Sequence, residues 1–138
     1  MEAIPVTVTL MTAIEDEGTT VTKYDGLLRY TKGGAHLSYT EVEEGVRTST
    51  LLLIGNDSVS LTRRGGVEFS TVYRAGTTHR SLYASTGLRL DAAVTTESLT
   101  VIRGLALPAF TCAYTLSLGG VDRRFILSLQ MAKREASL

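Results

Sequence analysis

Apolar and polar residues alternate with a period of two over most of the chain. In IPVTVTLMTAI (4–14), Val6, Val8, Leu10 and Ile14 share one face while Thr7 and Thr9 lie on the other. This is the pattern of a strand buried on one side. The same reading predicts strands over 19–31, 35–42, 47–54, 58–64, 67–74, 79–84, 88–102, 109–118 and 121–132, rich in Thr, Val, Leu and Tyr. Ten segments result, and the pattern allows some of them to be halves of one bent strand. No stretch before the tail has a period near 3.6, and AKREASL (132–138) reads as a frayed turn or disorder.

Turn chemistry separates the segments: KGG (32–34), GND (55–57), RGG (64–66), AGTT (75–78), STG (85–87) and LGG (118–120). Glycine and asparagine supply the positive φ of tight hairpins. Connections this short carry no crossover helix, so successive strands pair antiparallel as a meander, and closing the meander removes its two open edges. The expected fold is therefore all-β, one antiparallel up-and-down barrel of about 8–10 strands. RGLALPA (103–109), bracketed by a glycine and Pro108, is the longer irregular connection.

Length and composition narrow the setting. With 138 residues the chain is expected to form a single domain over 1–138. Its 14 basic and 14 acidic residues balance, which argues against nucleic acid or an anionic membrane bound by bulk charge and makes any electrostatic site a local one. Only Lys23, Lys32 and Lys133 are lysines, so most cations are guanidiniums able to grip a carboxylate or phosphate with two hydrogen bonds. Cys112 is the sole cysteine and has no partner for an internal disulfide, which fits a reducing cytoplasm. The N-terminus lacks the basic start and unbroken apolar block of a signal peptide, and no run approaches the ~18 apolar residues of a membrane helix. The expectation is a soluble, cytoplasmic protein.

Catalytic motifs are thin. His36 and His79 stand alone, without the spacing of a metal site. Cys112 shares a face with Phe110, Tyr114, Leu116 and Leu118, the setting of a buried, inert thiol. The acidic EDEG (15–18) and EVEEG (41–45) lack the ligand spacing of a calcium loop and read as solvated turns. None of the glycine-rich pieces leads from a strand into a helix, as a phosphate loop does. No catalytic residue, metal or cofactor is expected.

The arginines say more. Along VSLTRRGG (59–66) the face of Val59 and Leu61 continues to Arg63, and that of Ser60 and Thr62 continues to Arg64. Arg63 therefore points inward, where an unpaired guanidinium costs several kcal/mol. Three arrangements satisfy it. It closes the barrel end through backbone carbonyls or by stacking on Tyr83 or Tyr114, which is the expected arrangement; it pairs with Glu41, in phase with Leu37 and Tyr39; or it stands free for a ligand anion. Arg64, Arg74, Arg80 and Arg89 belong to the outer surface.

With the strands in place, YDGLLRYTKGGAHLSYTE (24–41), TLLLIGNDSVSLTRRG (50–65), LYASTGLRLDAAVTTESLTV (82–101) and YTLSLGG (114–120) resemble a bacterial family of unknown function, the YwiB-like DUF1934 proteins. The resemblance spans about residues 4–133 and rests on order and spacing. Leu37, Tyr39, Arg63, Gly65, Tyr83, Gly87, Thr96, Leu99 and Tyr114 fall where similar proteins carry the same residue type. YASTG (83–87) departs from their usual Tyr-x-Thr-x-x-Gly, with serine for threonine and one residue fewer before the glycine. The resemblance implies a calycin-type, lipocalin-like barrel and brings no assigned activity.

Two main functions fit. One is a non-catalytic barrel holding a small apolar or amphipathic ligand, anionic in one version, with Arg63, Tyr39, Glu41, Tyr83 and Tyr114 as ligand-binding residues. The alternative is a structural or interaction barrel with a plugged interior whose partner is another protein or, as a homodimer, a second copy. An enzyme built on Tyr39, Glu41, Arg63 and Tyr83 comes third, since nothing in the spacing demands catalysis.

Overall fold

The computed structural model describes residues 2–104 and 107–134. It contains ten strands and, among these residues, no helix: β1 (Ile4–Ile14), β2 (Gly18–Thr31), β3 (Gly34–Glu43), β4 (Val46–Ile54), β5 (Val59–Gly65), β6 (Val67–Tyr73), β7 (Thr78–Ser85), β8 (Leu88–Ile102), β9 (Ala109–Leu118) and β10 (Val121–Lys133). Each pairs antiparallel with its neighbour in sequence, and β1 pairs with β10 to close the barrel. The meander follows from the short turns, and every segment of the alternating pattern is a strand of its own. Of the C-terminal AKREASL, Ala132 and Lys133 continue β10 and Arg134 N donates to Pro5 O at 3.0 Å, while 135–138 lie outside the described residues. The connection from β8 to β9 is the longest in the barrel, and its residues 105–106 also lie outside.

Closure turns the inner faces into one core. Val6, Val8, Leu28, Leu37, Ile54, Val59, Phe110 and Leu129 are fully buried. All six tyrosines and three phenylalanines belong to the core or pack against it. A methyl group at Gly26 would stand 3.1 Å from Val8 Cγ2 and 3.2 Å from Leu37 Cδ1, so it would require these side chains to shift by a few tenths of an ångström.

Two irregularities shape the wall. Between Thr96 and Ser98 the β8–β9 register shifts by a bulge. The extra residue restores the inward phase, so that Ala92, Val94 and Thr96 before it, and Leu99 and Val101 after it, all face the core. Glu97, displaced outward, meets Arg124 through two bonds of 3.0 and 2.9 Å, and this pairing holds its carboxyl below the usual value. At the other irregularity, Gly65 ends β5 with φ +119°, and a Cβ there would collide with the Arg47 carbonyl. Only glycine lets the chain stay paired to β4 and turn within one residue into β6.

The weakest seam lies between β6 and β7. These strands pair only at Val67–Ser85 and Glu68–Ala84, whereas β1 and β2 pair along the whole of β1. Past the ladder, side chains bridge the strands: the Phe69 and Tyr83 rings are 5.9 Å apart and Thr71 Oγ1 lies 3.4 Å from His79 Nδ1. The hydroxyls of Ser81 and Thr96 are buried without a hydrogen-bond partner among the described residues. In hydrogen exchange, amides within 69–73 and 78–83 that face this seam are expected to exchange about 100-fold or more faster than those of β1. Uniform protection around the barrel would show that the seam is closed in solution.

Candidate functional site

Arg63 faces inward beside Thr50 of β4 and Phe69 of β6. Of the three arrangements open to it, the second is found. Nε and Nη2 donate to Glu41 Oε2 at 3.2 and 2.8 Å, and the expected closure through backbone carbonyls or a Tyr83 or Tyr114 ring is not the arrangement of its hydrogen bonds. Glu41 sits in an acidic stretch read from sequence as a solvated turn. It instead continues the inner row of Leu37 and Tyr39 on β3, and the exposed turn is confined to Glu44 and Gly45.

Two further residues complete the cluster. Thr50 Oγ1 donates to Glu41 Oε2 at 2.8 Å and Tyr24 OH donates to Oε1 at 3.3 Å. The Tyr24 ring stacks on Tyr39 with centroids 4.8 Å apart. Sequence reasoning missed both, although Tyr24 is in phase with the buried Leu28, and Thr50 with Leu52 and Ile54. The side chains of Arg63 and Glu41 keep 27% and 20% of their exposure, so water reaches the pair and reduces its desolvation cost. Both oxygens of the Glu41 carboxylate are engaged.

Tyr83 and Tyr114 lie elsewhere in the core. Tyr83 packs on Phe69, and Tyr114 is flanked by Tyr73 at 4.8 Å and a stacked Phe125 at 5.2 Å. Burial pushes the Tyr114 hydroxyl up to about 12 and raises those of Tyr39 and Tyr73 as well. Burial likewise pushes the Cys112 thiol up to about 12, which makes it inert at neutral pH. His36 points outward from β3, and among the described residues no group of three or more potential ligands could hold a metal ion.

Two open hollows lie on the outside of the barrel, over β2–β5. The larger, about 1150 Å³, is bordered by Lys23, Leu27, Val42, Leu51, Arg64 and Arg134. Its floor is low because short side chains adjoin one another across the sheet: Ser38 lies between Leu27 and Leu51, and Thr40 beside Ser49. Arg134 is paired to Asp25 at 3.1 Å. Among the described residues Lys23 and Arg64 make no ion pair. A second hollow of about 350 Å³ shares Leu27, Ser38 and Leu51 and continues to Arg29 and His36.

A family described as a domain of unknown function, DUF1934, matches residues 6–124. The chain belongs to the DUF1934 family. This DUF1934 barrel is similar in fold to the ywiB protein from Bacillus subtilis, whose crystal structure superposes with a TM-score of 0.80 at 18% identity, covering 95% of this chain and 94% of that one. No curated protein matches the chain. The likeness agrees with the closed antiparallel up-and-down barrel seen here, as the strand pattern had implied. Among the described residues no helix is long and apolar enough to cross a membrane.

Two outcomes are expected. Glu41→Gln and Arg63→Met should each destabilise the barrel by about 1–3 kcal/mol in denaturant unfolding, with the double variant recovering about 1 kcal/mol of their sum; strict additivity would show the pair to be uncoupled. In the alkaline range, the folded state holds protons on Cys112 and Tyr114 that the unfolded chain releases from about 9 and 10 upward. Stability should therefore be complete below pH about 9 and fall progressively toward pH about 12. A urea midpoint unchanged across that window would contradict this burial.

Proposed function

We propose that this DUF1934 barrel is a non-catalytic binding protein for an amphipathic ligand with an anionic head, and that the ligand lies in the outer groove over β2–β5. The observation that carries this reading is the chemistry of the groove. Two cations that make no ion pair among the described residues, Lys23 and Arg64, border a trough whose walls include exposed Leu27, Val42 and Leu51. A guanidinium and an ammonium attract an anionic head, and the leucines cover an apolar body.

The inner residues then act from beneath. Tyr24, Glu41, Thr50 and Arg63 tie together the strands whose outer sides form the trough. Tyr39 stacks within this network, and Tyr83 and Tyr114 fill the core. Arg63 directs its Nε and Nη2 groups to Glu41.

Dansylated undecanoic acid supplies the test, read by fluorescence titration at neutral pH. The wild type should bind it saturably, and Lys23→Glu combined with Arg64→Glu should lose about 10-fold or more in affinity. Both positions are exposed, so the variant should melt like the wild type. Affinity retained in this variant would place the head elsewhere and remove the outer-groove reading.

A further inference from the structure

We infer that the ligand of this groove is two-headed: an extended chain with an anionic group at each end and an apolar middle. The inference rests on the outer-groove reading and adds the second head. Leu27, Ser38 and Leu51 line both hollows, so the two adjoin across this row. Lys23, Arg64 and Arg134 stand at one end, and Arg29 with His36 at the other. Lys23 and Arg29 are both exposed on β2, six residues apart, which is about 20 Å at ~3.3 Å per residue.

Two leucines flank the middle. Leu27 and Leu51 are 42% and 44% exposed, with the short Ser38 between them in register. The tail of a one-headed amphiphile running from Lys23 past Leu27 would end against the Arg29 guanidinium and strip water from it without compensation. A second anion converts that loss into an ion pair. Among the described residues Arg29 makes no ion pair, and the nearest carboxylate along the strand's outer side, Asp25, is engaged by Arg134.

A regularly spaced polyanion fits less well, since its central charges would lie over the two leucines. Unpaired bases would also find no platform, because every tyrosine and phenylalanine belongs to the core or packs against it. The geometry favours a long-chain α,ω-dicarboxylate or a chain of equivalent form.

Displacement of dansylated undecanoic acid by dodecanoate, dodecanedioate and hexadecanedioate tests this. Hexadecanedioate, long enough to span the trough, should compete about 5-fold more strongly than dodecanoate, the worth of one added exposed ion pair. The shorter diacid should gain less. Arg29→Gln should reduce the ratio of hexadecanedioate to dodecanoate affinity to about one, while Arg80→Gln on β7 leaves it as in the wild type. Equal competition by all three acids, or an undiminished ratio in Arg29→Gln, overturns the two-headed ligand and leaves the groove standing. Failure of the dansylated probe and all three acids to bind overturns the groove reading itself.

Discussion

Every inner position of a closed ten-stranded barrel opens onto one enclosed volume, and here apolar rows and aromatic rings line it. Aliphatic rows alone supply Val6, Val8, Leu28, Leu37, Ile54 and Leu129. Nine aromatic rings supply much of the remainder, all of them belonging to the core or packing against it. Their close contacts, Tyr24 on Tyr39 and Tyr114 between Tyr73 and Phe125, are the result of this filling. Around Gly26 the side chains of Val8 and Leu37 stand so close that an added methyl group would push them aside by a few tenths of an ångström.

The same constraint explains why a charge inside the barrel is tolerated. Arg63 is carried inward by strand phase, and Glu41 meets it because the registers of β3 on β4 and β4 on β5 bring the two rows side by side. Thr50 and Tyr24 satisfy the remaining capacity of the carboxylate. Each of β2, β3, β4 and β5 contributes one member to this network. A four-strand panel tied from within is a firm base for a groove on its outer side, and pre-organisation of this kind lowers the cost of binding.

One strand further on, the wall changes character. β6 meets β7 at only two positions, and the polar inner residues Thr71, His79, Ser81 and Thr96 gather behind the gap. The barrel thus joins a clamped half to a loosely laddered seam, and local opening belongs to the seam.

The strands were legible in the sequence because half-burial imposes a period of two and tight turns demand glycine; the predicted boundaries fall within about one residue of the observed ones. The same phase separated Arg63 from Arg64 and put Glu41 on the face of Tyr39. It did not decide among carbonyls, a carboxylate and a ligand as the partner of Arg63, because that choice depends on register between strands 22 residues apart in sequence. The bulge at Glu97 and the short β6–β7 ladder also depend on how the barrel closes. Lys23, Arg29, Arg64 and Arg134 are scattered along a chain of zero net charge. Period-two patterning set which side of the wall each residue occupies; closure and cross-strand register alone decided which of them became neighbours, since those contacts are made between strands and not along them.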